Sequence, residues 1–101
     1  MADRLDLQRE LETRLGSKNV YYDPPESLKM QYDAIRYSKS NMLVTSADNQ
    51  KWSTYCRYEL IHISKKPDSK VIDKLLELPY CSYDRHYVAD NMHHDVLTIY
   101  W

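Results

Sequence analysis

The sequence predicts an α+β domain in which two helices pack on an antiparallel or mixed β-sheet, in the order α-β-β-β-α-β-β. Two stretches repeat apolar residues at helical spacing, and several others alternate apolar and polar residues as half-buried strands do. The helices are interspersed irregularly among the strands, which favours α+β over a strictly alternating α/β fold. No internal repeat or linker divides the 101 residues, so one domain covering residues 1–101 is expected.

The first helix is indicated by a stripe of leucines. Asp3 is a suitable N-cap, and Gly16 stands where a left-handed C-terminal cap would end the helix. A short β-prone run from Asn19 to Tyr22 follows, and Pro24 and Pro25 stop it because proline lacks a ladder donor. The leucines of the stripe are Leu5, Leu7, Leu11 and Leu15.

The middle of the chain predicts two strands with an ambiguous segment between them. From Tyr32 to Ser38 the residues alternate as in a half-buried strand, and Trp52 to Ile63 shows the strongest alternation of all. Between them, Lys39 to Gln50 is mostly polar and poorly periodic. This segment predicts either a long hairpin arm or a mobile surface loop, and the pattern does not decide between them.

The last third predicts a second helix and a final pair of strands. Asp68 or Ser69 can cap the helix, and Pro79 ends it. Tyr80 to Val88 and Asp95 to Trp101 read as strands joined across Asp90-Asn91, whose side chains tolerate turn geometry. The apolar face of the helix consists of Val71, Ile72, Leu75, Leu76 and Leu78.

Charge and composition narrow the range of partners. Lys and Arg total 14 against 15 Asp and Glu, so a net charge of -1 gives no general attraction to nucleic acid or anionic lipid. No apolar run approaches the ~20 residues of a membrane span, so no membrane partner is expected and the protein is expected in the cytoplasm. The 10 Tyr, 2 Trp and no Phe suit either half-buried interfaces or an open sheet face.

The residues that could carry chemistry form no known catalytic pattern. A single glycine excludes a P-loop, a dinucleotide-binding turn and a GxSxG elbow. A hairpin could bring His86 near His93 and His94, yet the spacing matches no zinc motif and adjacent strand histidines point to opposite faces. Cys56 and Cys81 lie far apart and are expected as reduced thiols. We therefore expect no enzyme, no catalytic residue, no metal site and no cofactor.

Four segments of the second half resemble a known family. They are Tyr58-Glu59-Leu60-Ile61-His62-Ile63, then Pro67-Asp68-Ser69, then the run from Leu76-Glu77-Leu78-Pro79 through Tyr80-Cys81-Ser82-Tyr83-Asp84-Arg85, and finally Asp90-Asn91-Met92-His93-His94-Asp95-Val96-Leu97-Thr98-Ile99-Tyr100. Together they are similar to the small tail-completion or tail-terminator proteins of tailed bacteriophages. The order of elements fits that family over nearly the whole chain.

The resemblance implies a structural subunit of the virion. Members of the family form rings, usually hexameric, that cap the head-proximal end of the tail tube, halt its polymerisation and meet the neck proteins. The implied partners are copies of this chain, the tail tube protein and a neck or head-completion protein, with DNA reached only through the lumen. The implied location is the tail-neck junction, after assembly in the bacterial host cytoplasm.

Residue-level expectations for such a role concern interfaces. The segment Lys39 to Gln50 is the candidate arm that reaches a neighbour, because loops project from a rigid sheet. A head-closure or neck connector protein is the nearest alternative, and a small nucleic-acid- or host-protein-binding module is an alternative of another class. Residues of the types that dominate interfaces are Arg36, Trp52, Arg57, Tyr83 and Arg85.

Overall fold

The computed structural model describes residues 4–47, 50–66 and 69–101, and it describes residues 41–47 and 50–55 by their backbone alone. It has two helices and a five-stranded mixed sheet, which confirms the predicted α+β class and element order. The proposed caps Asp3 and Asp68 lie outside the described residues. The elements are α1 (Arg4–Leu15), β1 (Val20–Tyr22), β2 (Ala34–Ala47), β3 (Gln50–Ser64), α2 (Val71–Leu76), β4 (Cys81–Ala89) and β5 (Met92–Tyr100).

The strands lie in the order β1-β2-β3-β5-β4. β1 runs parallel to β2, and every other neighbouring pair is antiparallel. Asp90 and Asn91 both have positive φ, 53° and 61°, and join β4 to β5 in the tight turn predicted for them. β5 begins directly after this turn, at Met92 rather than at the predicted Asp95, because its pairing with β4 continues to Ala89 opposite Met92.

Both helices contribute to a core on one face of the sheet. In α1 the side chains of Leu7 and Leu11 are fully buried, whereas Leu5 is exposed because it lies two positions, roughly 200° of helical rotation, from Leu7. Gly16 ends α1 with φ of 81°, as predicted. The buried core cluster consists of Leu7, Leu11, Val20, Ile35, Tyr37, Tyr58, Leu60, Leu75, Leu78, Leu97 and Ile99.

The second helix is held beside the first by polar contacts as well as by packing. The N-cap of α2 is Lys70, without a side-chain capping bond, and not the predicted Asp68 or Ser69. The hydroxyl oxygen of Ser69 accepts a hydrogen bond from the Val71 N–H at 3.3 Å just before the helix. Arg14 of α1 donates to the carbonyl oxygen of Lys74 at 2.7 Å and pairs with Glu77 at 3.2 Å. These bonds join the two helices over the sheet. Separately, neither helix in the described part of the chain is long and apolar enough to cross a bilayer.

Two tyrosines belong to the core. Tyr37 and Tyr58 are buried, with ring centroids 5.9 Å apart, and the ring of Tyr22 lies 4.9 Å from that of Tyr37 near their rim. The Tyr37 hydroxyl donates to Gln8 of α1 and accepts from Arg4 at 3.2 Å. A tyrosine at this position fills apolar space while its hydroxyl reaches polar groups on α1, a function that phenylalanine lacks.

Candidate functional site

A two-stranded extension is the most distinctive feature of the molecule, and we call it the arm. It consists of residues 41–47 of β2 and 50–55 of β3, which pair with each other from Leu43 opposite Tyr55 to Ala47 opposite Gln50. β1 pairs with β2 only at residues 35–37, and β5 pairs with β3 from Arg57 onward, with Trp101 adding two backbone hydrogen bonds to Cys56. Among the described strands, none lies beside either outer edge of the arm.

The arm settles the ambiguity left by the sequence in favour of strand structure. Lys39 to Ala47 continues β2, so the hairpin alternative holds for this segment and the loop alternative does not. The two residues of the segment that precede Gln50, Asp48 and Asn49, lie outside the described residues. The molecule measures 51 Å along its longest axis against 29 Å along the next.

The far edge of the sheet is formed by β4, which we call the outer edge. Residues 82–88 are all exposed, and the described strands include no neighbour on its free side. Large apolar side chains lie open here, with Val88 60% exposed and Tyr83 and Tyr87 also exposed. An edge strand of this length with apolar side chains is a template for pairing with another chain.

The face of the sheet opposite the helices carries three of the predicted interface residues. Arg36 lies opposite Ile61, Ile61 opposite Val96, and Val96 opposite Arg85, so the two arginines end one row across four strands. Arg57 is on the same face, four positions along β3 from Ile61. We call this surface the arginine face.

The environments of these arginines differ. Arg36 is exposed and lines a shallow hollow of about 250 Å³ together with Pro24 and Leu28. Arg57 is half-buried, and its Nε donates to the Ser40 hydroxyl at 3.1 Å. Arg85 is exposed and pairs with the adjacent Asp84 at 2.8 Å. Arg36 therefore borders a concave surface.

The other two predicted interface residues lie elsewhere. Tyr83 is on the helix-side face, where its hydroxyl donates to Asp95 at 2.7 Å, and this bond raises the pKa of Tyr83. Trp52 belongs to the arm by its backbone, and its side chain lies outside the described part of the chain. The structure thus brings Arg36, Arg57 and Arg85 to one face and separates Tyr83 from them.

A β-bulge explains the position of Tyr83. The β4–β5 register shifts between Tyr83, opposite Leu97, and Arg85, opposite Val96, so Asp84 is an extra residue. Regular alternation would place Tyr83 and Arg85 on one face, but the extra residue sends them to opposite faces. Sequence reasoning missed the exposed Val88 for a related reason, since nothing local to β4 shows that it is an edge strand.

Burial shifts the pKa of Cys81 and of His62, which are titratable groups on the described part of the chain. Burial raises the pKa of the Cys81 thiol to about 11, which keeps it protonated and a poor nucleophile at neutral pH. Burial also lowers the pKa of His62, whose ring nitrogens have no hydrogen-bond partner. Over residues 4–47, 50–66 and 69–101, no three His, Cys, Asp or Glu side chains gather as a metal-binding group.

Comparison with known proteins adds no family assignment. No protein-family model matches the sequence, and a search of the curated proteins finds no significant relative. The resemblance to tail-terminator proteins stays a prediction. The arm, the outer edge and the arginine face are the structural features from which a function can be inferred.

Proposed function

We propose that this chain is a structural protein of a tailed-phage virion that caps the head-proximal end of the tail tube, terminates tail polymerisation and joins the tail to the neck. It acts as a ring of identical subunits, six by the family resemblance, at the tail-neck junction. Its partners are its own copies, the tail tube protein and a neck or head-completion protein. The role requires binding surfaces and no catalysis.

The arm is the observation that carries the proposal. Residues 41–47 extend the hairpin by about 20 Å beyond its base in the sheet, at about 3.3 Å per residue. An isolated two-stranded hairpin is marginally stable in water, and a third strand or a packed surface is needed for independent stability. A contact with a neighbouring subunit or with the tube would supply that surface.

The outer edge supplies the second element of a ring contact. The arm and the outer edge are different surfaces, so a contact of the arm of one subunit with the outer edge of the next is heterologous. Heterologous contacts generate closed rings when the rotation between subunits closes. Backbone pairing along β4 would give affinity, while the exposed side chains of Tyr83, Tyr87 and Val88 would give specificity.

The arginine face suits contact with the flat surface of another virion protein. Arginine is enriched at interfaces because its planar guanidinium binds carboxylates in a bidentate way and stacks on aromatic rings. Arg36 and Arg85 are exposed and separated by the half-buried Ile61 and buried Val96. Val96 is already covered within the subunit, so the two exposed guanidinium groups and part of Ile61 are what this row offers to a partner.

A tail-length assay tests the proposal directly. In the phage that carries this gene, we expect that its loss gives tails of uncontrolled length, or tails without heads, in electron micrographs. Supplying the wild-type protein should restore tails of defined length. Tails of normal length that fail to join heads would instead favour the head-closure alternative, and normal virions would contradict the proposal.

A variant without the arm tests the observation that carries the proposal. Replacing residues 43–55 by Asn-Gly closes a two-residue turn on the Met42–Cys56 pair and keeps the body of the sheet. We expect this variant to fold but to fail in the tail-length assay. Arg9→Gln, on the exposed side of α1, is the matched control and should restore tails.

Size-exclusion chromatography with light scattering tests ring formation. At high concentration we expect the wild type to approach a mass near six times the 12.1 kDa of one chain, and the variant without the arm to remain monomeric. Retention on DNA that weakens steeply as salt rises would instead favour the nucleic-acid-binding alternative.

A further inference from the structure

Two histidine rings converge on the helix-side face of the β4–β5 hairpin. His86 lies opposite Asp95 and Val88 opposite His93, so His86 and His93 are diagonal neighbours across the two strands. The Nε2 atom of His86 is 3.3 Å from the Nδ1 atom of His93, and the ring centroids are 5.3 Å apart. The proposed ring contact uses the backbone of β4 and the side chains of Tyr83, Tyr87 and Val88, so it assigns no role to either histidine side chain.

Asp95 orients one of the two rings. Its Oδ1 atom lies 2.8 Å from Nδ1 of His86, and the same oxygen accepts the Tyr83 hydroxyl proton at 2.7 Å. A carboxylate oxygen accepts but does not donate, so Nδ1 of neutral His86 carries the proton. Its Nε2 atom therefore presents a lone pair toward His93, which is the state in which an imidazole binds a metal.

The nitrogen separation is that of two ligands of one tetrahedral ion. At 3.3 Å the two nitrogens are also within hydrogen-bond distance, so without an ion the Nδ1–H of His93 donates to Nε2 of His86. Two nitrogens at about 2.0–2.1 Å from a tetrahedral Zn²⁺ lie about 3.3–3.4 Å apart. The right angle of a square-planar or octahedral site would bring them to about 2.9 Å.

We propose that His86 Nε2 and His93 Nδ1 bind one Zn²⁺ ion, with Asp95 as the carboxylate that orients His86. A histidine ligand that donates its other N–H to a carboxylate is the usual outer arrangement of zinc sites. No third protein ligand is gathered there within the described residues, so water completes the coordination. The ion joins β4 to β5 and stiffens the outer edge.

Calorimetric titration of the untagged, reduced protein with ZnCl₂ tests this site. We expect one saturable ion per chain, and affinity reduced at least tenfold in both His86→Gln and His93→Gln. Asp95→Asn should weaken binding by about 10–100-fold, the range for losing an outer-shell partner. The melting temperature of the wild type, but not of the two histidine variants, should rise with Zn²⁺.

His94→Gln is the matched control. His94 is adjacent to His93 but lies on the opposite face, where its Nδ1 contacts the Met92 carbonyl oxygen at 3.0 Å and its ring stacks on Tyr87. Its Zn²⁺ affinity should equal that of the wild type. Any of three results would contradict the proposed site. They are a loss of Zn²⁺ affinity in His94→Gln equal to that in the other two histidine variants, unchanged affinity in the His86 and His93 variants, and no saturable Zn²⁺ binding by the wild type. Circular dichroism checks that every variant is folded.

Discussion

The same hairpin passes through two different environments in this molecule. At its base, β2 and β3 lie inside the sheet, with β1 and β5 beside them and helices over one face, and Tyr37 and Leu60 are buried there. Farther along, the same two strands form the arm and pair only with each other among the described strands. The base is stabilised by contacts within one subunit, whereas the arm has free strand edges with which another chain could pair.

The base and the arm differ in whether other strands and helices flank the hairpin, and this matters more than the strand propensity of their residues. Burial of apolar surface contributes about 25 cal/mol per Å², and the buried cluster draws its side chains from both helices and from the strands of the sheet. The folding free energy should therefore reside in the body, defined as the described residues outside the arm. Changes in the body should alter stability, and changes in the arm should alter assembly.

The largest expected effect is on the stability of the body. Leu60 is fully buried at the centre of the sheet, within the core cluster. Leu60→Ala should reduce the free energy of unfolding by about 2–5 kcal/mol, because it removes buried methyl groups and leaves a cavity. Urea denaturation measures the change. Val88→Ala, at the exposed outer edge, is the control and should stay within about 0.5 kcal/mol. An equal loss in both would show that burial of Leu60 is not the source of the effect.

The next effect is a pH dependence that originates in the body. Burial lowers the pKa of His62 below the 6.5 of an exposed histidine, against smaller opposing effects of Asp33 and Asp95. Below pH 6.5 the unfolded chain binds a proton at this residue more readily than the folded chain. Its contribution to stability is therefore complete above pH 6.5 and is lost as the pH falls toward the lower folded pKa.

Substitution of His62 isolates that contribution. His62→Leu should remove a slope of up to about 1.4 kcal/mol per pH unit below pH 6.5, measured by urea denaturation at several pH values. His94→Gln should keep the slope. If wild type and His62→Leu lose stability in parallel as the pH falls, the lowered pKa of His62 is not its source.

A smaller effect is expected where α1 meets the base of the hairpin. Tyr37→Phe removes the hydroxyl that donates to Gln8 and accepts from Arg4 while it keeps the buried ring. The free energy of unfolding should fall by about 1 kcal/mol, the usual contribution of one buried hydrogen bond. Tyr87→Phe, at the exposed outer edge, should change it by less than about 0.5 kcal/mol. If the two substitutions change the free energy of unfolding equally, the hydrogen bonds of the Tyr37 hydroxyl do not stabilise the body.

The smallest effect on stability should come from the largest change in sequence. Replacing residues 43–55 by Asn-Gly should change the free energy of unfolding of the monomer by less than about 1 kcal/mol, because the arm lies outside the buried cluster and shorter loops close at little cost. Urea denaturation at low protein concentration measures it. A loss comparable to that of Leu60→Ala would show that the arm is part of the folding unit.

Features that depend on neighbouring residues could be predicted from the sequence. The leucine spacing and Gly16 indicated the extent of α1, and Asp90-Asn91 indicated the turn between β4 and β5. Alternation indicated a strand from Trp52 to Ile63, and these residues lie within β3. Each of these signals is local, since helix periodicity, caps and tight turns depend on residues within a few positions of one another.

Features that depend on distant pairing required the tertiary structure. The continuation of β2 to Ala47 follows from pairing with β3, because a polar strand without periodicity is defined only by its partner. The opposite faces of Tyr83 and Arg85 follow from the bulge at Asp84, which local alternation does not reveal.

Sequence alone thus determined the two helices, the order of the strands along the chain and the turn between β4 and β5, because those choices follow from local sterics and periodicity, but it did not determine that β2 continues to Ala47. Tertiary structure decided which strand is the edge, which arginines share a face and which histidine nitrogens meet. Those relations depend on strand order and register, which are fixed by contacts between residues far apart in the chain.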